Sequence, residues 1–182
     1  MQAEDVKTGE RPLVLALMGL PGAGKSALAA ALARELDLHV VDRDAIRAAM
    51  FPRCALTAAE KHAAFRAVLT AVEVNCLLSR SSVIDGVTFA RGQDLERVHA
   101  VASKYPVDTI ALYLDCPPEL ARQRIARDRR EHPARDRSPD LVDRVMARFE
   151  QPPSTALVVD ARAAADVVLR EALALILTAR GS

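Results

Sequence analysis

The sequence predicts an α/β protein in which a five-stranded parallel sheet lies between two layers of helix. Three observations predict it. Short apolar runs alternate with helix-patterned segments along the chain, as expected of parallel strands joined by crossover helices. One strand-to-helix junction reads Gly19-Leu20-Pro21-Gly22-Ala23-Gly24-Lys25-Ser26, which fits the phosphate-loop pattern G-x-x-x-x-G-K-[ST]. Of the 182 residues, 51% are apolar, largely Ala, Leu and Val, enough to bury a sizeable core in one domain.

Each element has its own signal. Residues 1–11 are polar, mixed in charge and without the apolar core of a secretion signal; they read as a loose tail, which leaves 12–182 as one domain. Residues 13–18 are a continuous apolar run, a buried strand, and 27–36 after the glycine loop are Ala/Leu-rich and helical. Residues 38–41 form a second short strand, and 44–50 a short helix with Asp44 near its cap, broken by Phe51-Pro52-Arg53. Thr57 and Glu60 stand in capping-box register and open a long helix to about residue 79. A third strand, 82–86, ends in a turn at Asp85-Gly86; a helix over 91–104 and a fourth strand over 107–114 follow. Pro117-Pro118 opens a helix to about residue 127, proline being tolerated in the first turn. The charged, arginine-rich stretch 128–138 reads as a loop, 139–149 as a helix stopped by Pro152-Pro153, 156–159 as the fifth strand and 163–179 as the closing helix. There is no internal repeat, low-complexity segment or interdomain linker.

The motif brings a specific chemistry. Its glycines let the backbone curl so that successive N–H groups, from Gly22 through Ala23, Gly24, Lys25, Ser26 and Ala27, point at phosphate oxygens. The following helix start adds its partial positive charge. Lys25 reaches the β- and γ-phosphates, and the Ser26 hydroxyl can ligate Mg²⁺. Ligands of open α/β sheets bind beyond the carboxyl ends of the strands. That rule directs attention to Asp42 and Asp44, to the segment from Asp85 to Phe89, and to Asp115 and Asp160. Asp85 can hold Mg²⁺ directly or through water. Asp42 and Asp44, one residue apart, share a side of an extended segment; one can serve the metal while the other takes the proton of an acceptor hydroxyl. Arg47, three residues after Asp44, can hold substrate or pair with Asp44. The competing reading of the Asp42/Asp44 pair is helix capping with a surface ion pair; that of Asp85 is an ordinary turn residue. Arg122, Arg124, Arg127, Arg129, Arg130, Arg135 and Arg137 crowd one helix end and the next loop. Such a loop can close over ATP as a lid and supply an arginine finger, with guanidinium planes stacking on adenine. A solvated charged loop is its bland alternative.

Other features narrow the class. A net charge of +1, from 25 basic and 24 acidic residues, gives no global attraction for nucleic acid or membrane. With 3% aromatic residues, a base-stacking surface has little support. Cys54, Cys76 and Cys116 are far apart and the four histidines scattered, so neither a disulfide framework nor a zinc site is expected, and a cytoplasmic location is. No apolar run is long enough to span a bilayer.

Taken together, the Gly19-to-Ser26 loop, Val41-Asp42-Arg43-Asp44-Ala45-Ile46-Arg47, Val83-Ile84-Asp85-Gly86, Arg124-Ile125-Ala126-Arg127 and Phe149-Glu150-Gln151-Pro152 resemble the small P-loop kinases. These include polynucleotide-kinase-like, chloramphenicol-phosphotransferase-like, zeta-toxin-like and gluconokinase-like proteins. The resemblance covers nearly the whole chain after the tail. It implies a three-layer α/β/α P-loop NTPase fold of nucleoside-kinase type with an arginine-rich lid, and transfer of the γ-phosphoryl group of ATP, with Mg²⁺, to a hydroxyl. By motif position, Asp44 resembles the acceptor-activating aspartate and Arg47 its partner, while Arg124 and Arg127 resemble the adenine-stacking and lid arginines. Lys25, Asp44 and Arg127 are then the expected catalytic residues. Gly22 to Ala27 and Arg124 are expected to bind nucleotide, Arg47, Asp85 and Phe89 substrate, and Ser26, Asp42 and Asp85 the metal.

The chain lacks the Gly-Asp and His-Pro signature of gluconokinases and the Gly-Gly-x-Gly-Arg turn of shikimate kinases, so the resemblance assigns neither substrate. Three functions remain open: a kinase for a small hydroxylated molecule, a 5′-hydroxyl polynucleotide kinase, and a nucleotide-dependent switch without transfer. Charge and aromatic content disfavour the second. The absence of an Asn-Lys-x-Asp guanine signature and the presence of both Lys25 and Asp44 disfavour the third.

Overall fold

The computed structural model describes residues 11–128 and 138–181. Five strands, β1 (Leu13–Met18), β2 (His39–Asp42), β3 (Ser82–Asp85), β4 (Asp108–Asp115) and β5 (Leu157–Asp160), pair in parallel in the order β2-β3-β1-β4-β5. Helices α1 (Lys25–Glu35), α2 (Arg43–Met50), α3 (Ala58–Leu77), α4 (Gly92–Ala102), α5 (Pro118–Asp128), α6 (Asp140–Met146) and α7 (Ala165–Arg180) connect and cover them.

β1 is central because it has no polar side. A parallel strand covered on both faces must read as one apolar run, and every residue of β1 is buried. Its side chains alternate between the two layers, as the pleat requires. Leu13, Leu15 and Leu17 pack with Leu28 and Leu32 of α1 and Val168 and Ile176 of α7. Val14, Ala16 and Met18 pack with Phe65 and Val68 of α3 and Leu95 and Val98 of α4. This is the expected three-layer α/β/α sandwich. The chain leaves β1 for β2 on one side and β4 lies on the other, so the crevice at the end of β1 is a topological switch point. β2, β3, β4 and β5 all end in aspartate, with Asp42 beside Asp85 and Asp115 beside Asp160 in register.

Helix starts fix what reaches that crevice. α2 begins at Arg43, and its cap is Asp42 rather than Asp44. Asp42 keeps an extended backbone (φ −90°, ψ 112°), while its Oδ1 accepts the N–H groups of Asp44 at 2.7 Å and Ala45 at 3.2 Å. The extended geometry that would put Asp42 and Asp44 on one side therefore stops at Asp42. Asp44 sits in the first helical turn, next to the positive end of the helix dipole. α3 opens with the expected capping box: the Glu60 N–H donates to Thr57 Oγ1 at 3.2 Å, and Glu60 Oε2 accepts the Thr57 N–H at 2.8 Å. Thr57→Ala removes the cap and is expected to lower the thermal midpoint by about 2–4 °C, read by calorimetry.

α6 ends at Met146, short of the predicted residue 149. Phe149 turns instead onto Tyr113, with ring centroids 5.9 Å apart. The predicted tail, except Arg11, and most of the predicted lid, including Arg129, Arg130, Arg135 and Arg137, lie outside the described residues. Among the described residues, no helix is long and apolar enough to cross a membrane.

Candidate active site

The loop after β1 is built on glycines with no room for a side chain. Gly22 has φ +85°, and a Cβ there would lie 2.4 Å from the Ala121 carbonyl oxygen and 3.0 Å from Ile125 Cγ1. α5 thus presses the loop into its curl. Gly22→Ala must move backbone against backbone in a left-handed conformation, a strain of about 1–3 kcal/mol. The expected result is a lower thermal midpoint and at least about tenfold weaker binding of a nucleoside triphosphate analogue, measured by titration calorimetry.

At the end of the loop, Gly24 caps α1 with a left-handed φ of 98°. Lys25 follows, buried, its Nζ donating to the carbonyls of Gly19 and Leu20, both at 2.8 Å. The ammonium is thereby folded back along the loop it serves. The Gly19 N–H donates to the Thr88 carbonyl at 3.1 Å, which ties the loop to the segment after β3.

Ser26, in the first turn of α1, meets Asp85 at the end of β3. The Ser26 hydroxyl donates to Asp85 Oδ1 at 3.1 Å. Burial pushes the Asp85 carboxyl up, and the nearby Asp42 carboxylate adds to this; the Gly86 N–H, the Ser26 hydroxyl and the Lys25 charge pull the other way. A buried carboxylate held above its usual range is one that gains from a cation. The pair offers two hard oxygen donors beside the phosphate loop. This fits Mg²⁺, which takes one or two protein oxygens and completes its shell with phosphate and water. Asp42, also expected at the metal, has Oδ1 engaged by the α2 cap and does not line the cavity.

Asp44 faces the same space. Its Oδ1 accepts from Arg43 Nε at 3.1 Å and Nη2 at 2.8 Å, and Arg47 Nη2 lies 3.3 Å away. Arg47 is 7% exposed. Both guanidiniums fall on Oδ1; among the described residues Oδ2 makes no hydrogen bond. One cavity of about 330 Å³ joins Gly22, Gly24, Lys25, Ser26 and Ala27 to Asp44, Arg47 and Asp85.

The cavity also takes in Thr88, inside the Asp85-to-Phe89 segment, and Arg43, Lys61, Leu141, Val145 and Arg148, to which the sequence reading gave no role in the site. Lys61 lies in the first turn of the capped helix α3. Arg148 directly precedes the Phe149-to-Pro152 stretch.

Several predicted site residues lie elsewhere. Phe89 does not reach the cavity: it is 1% exposed and packs in the core with Phe65 and Val87. Its left-handed φ of 48° lets the ring pack inward while its neighbour Thr88 lines the cavity. Ala23 is buried under the loop. Arg124 lies behind it, with Nη1 donating to the Ala23 carbonyl at 3.3 Å and Nη2 to the Ala161 carbonyl at 2.9 Å. Its guanidinium is thus fixed between the phosphate loop and the end of β5. Arg127 is exposed near the end of α5 and outside the cavity lining.

Known proteins share this fold. A family model described as an AAA domain (AAA_33) matches residues 14–152. No curated protein matches the chain. Among solved structures, a gluconokinase from Sinorhizobium meliloti 1021 superposes with a TM-score of 0.71 at 18% identity, over 95% of this chain and 96% of that one. A sugar kinase from Janibacter sp. HTCC2649 gives 0.67 at 21%, over 91% and 94%. The Mycobacterium tuberculosis APS kinase CysC, in complex with AMPPNP and APS, gives 0.67 at 17%, over 92% and 99%. At these identities the likeness is one of fold. The chain belongs to the AAA domain family matched over residues 14–152, and its fold is that of the small P-loop kinases.

Proposed function

We propose that the protein transfers the γ-phosphoryl group of ATP to a hydroxyl of a small molecule. The observation that carries this reading is the single cavity in which Asp44 faces Lys25 and Ser26. A phosphate loop alone serves many functions, but a carboxylate placed across from it suits an attacking alcohol.

The loop amides and Lys25 hold and neutralise the triphosphate, which is most of what phosphoryl transfer asks of a protein. Ser26 and Asp85 would hold Mg²⁺, which would supply neutralisation of phosphate charge. Asp44, oriented by Arg43 and Arg47 through Oδ1, accepts the hydroxyl proton on Oδ2. The acceptor oxygen bonds to the γ-phosphorus, the bond from that phosphorus to the β,γ-bridging oxygen breaks, and ADP departs. The proton then passes from Asp44 to solvent. The adenine-stacking role of Arg124 and the lid role of Arg127 stay part of the proposal, supported for Arg124 by its hydrogen bond to the Ala23 carbonyl of the phosphate loop.

The test is acceptor-dependent transfer of label from γ-labelled ATP across a panel of hydroxylated metabolites and nucleosides. Transfer to a small-molecule hydroxyl is expected. Transfer only to 5′-hydroxyl oligonucleotides favours the polynucleotide kinase, and nucleotide binding without transfer to any acceptor favours a switch.

A further inference from the structure

Cations outnumber carboxylates in the cavity that holds Asp44. Besides Lys25, the cavity is lined by Arg43, Arg47, Lys61 and Arg148, against the two carboxylates Asp44 and Asp85. Arg43 and Arg47 share Asp44 Oδ1. Lys61 and Arg148 make no ion pair among the described residues. The buried guanidinium of Arg47 is thus only partly compensated, an arrangement that costs free energy unless an anion completes it.

These cations come from elements other than the phosphate loop. Arg47 is in α2, and Lys61 is in α3, which packs on α2, α4 and β2. Arg148 follows α6, in a segment fastened to the chain after β3: the Glu150 N–H donates to the Ala90 carbonyl and Glu150 Oε2 accepts the Gly92 N–H, both at 2.8 Å. Leu141 and Val145 give the same cavity an apolar side, which displaces water and strengthens charge pairing.

We propose that the acceptor carries an anionic group besides its hydroxyl, a phosphate monoester or a carboxylate, held by Arg47, Lys61 and Arg148. A neutral polyol would leave Lys61 and Arg148 without an ion pair among the described residues and Arg47 sharing Asp44 with Arg43. The proposal rests on the phosphotransfer reading above and narrows its substrate class. Lys61 and Arg148 become specificity-determining residues, while Asp44 keeps the proton of the attacking hydroxyl.

The experiment compares matched pairs: glucose 6-phosphate with glucose, glycerol 3-phosphate with glycerol, and gluconate with sorbitol. Two readouts are taken on the full chain: label transfer from γ-labelled ATP, and calorimetric binding to protein saturated with Mg²⁺ and AMPPNP. The anionic member of at least one pair is expected to bind and accept label at least about tenfold better than its neutral partner. Phosphate and carboxylate arms show which anion is preferred. Lys61→Ala and Arg148→Ala should each raise KM for the anionic acceptor by about tenfold to a hundredfold, with kcat and KM for ATP little changed, and Lys61→Arg should restore most of the loss. Equal acceptance of neutral and anionic members overturns the proposal and leaves the kinase reading standing. Anion binding weakened by Lys61→Ala but without transfer upholds the anion site and counts against transfer to that ligand. If no anionic member binds the nucleotide-loaded protein, the proposal fails.

Discussion

Lys25→Ala is expected to lower kcat/KM for ATP by about 10³-fold or more. Removing one preorganised donor from a developing anion costs about 10²–10³-fold, and Lys25 supplies a full charge at the most negative part of the substrate. Its ammonium donates to the Gly19 and Leu20 carbonyls, beside the loop on which the phosphates are expected. The variant also strips both carbonyls of that donor. Thermal unfolding separates the two effects: a change of a few degrees with three decades lost in turnover assigns the loss to catalysis. Turnover within tenfold of the parent would remove Lys25 from the transition state.

Asp44→Asn is expected to reduce kcat by about 10²–10⁴-fold, the usual contribution of a positioned general base. KM for ATP should stay within about twofold, because the phosphate loop does not touch Asp44 among the contacts of the site. The substitution keeps the shape and removes the charge, so Arg43 and Arg47 lose their anion as well. If Asp44 serves only as their ion-pair partner, the variant loses thermal stability and keeps kcat. Full turnover in Asp44→Asn therefore removes it as the base, whatever happens to the folded state.

Both predictions concern residues that the sequence places well, and the reason is local. The glycine loop, the all-apolar strand before it and the Ala-rich helix after it lie within one stretch of chain, so composition and spacing determine their geometry. The Thr57–Glu60 capping box is legible for the same reason. The start of α2 is harder. Asp42 and Asp44 are both good caps, and only the turn of the backbone at Arg43 decides which of them accepts N–H groups and which faces the cavity. Phe89 shows another limit. A phenylalanine after a strand-end turn reads as a pocket wall, but its left-handed φ sends the ring into the core, and nothing in the neighbouring residues announces that. Lys61 and Arg148 were missed because they join the site through packing between distant segments, α3 on α2 and the chain after α6 on Gly92. No motif spacing encodes such contacts.

The most direct measurement is a crystal structure of the protein with Mg²⁺ and AMPPNP. The triphosphate is expected along the N–H groups of Gly22 to Ala27, with Lys25 Nζ turned from its carbonyls onto the phosphates and the Asp44 carboxylate opposite the terminal phosphorus, one acceptor oxygen away. Nucleotide bound anywhere else, or a terminal phosphate facing away from Asp44, would contradict the account.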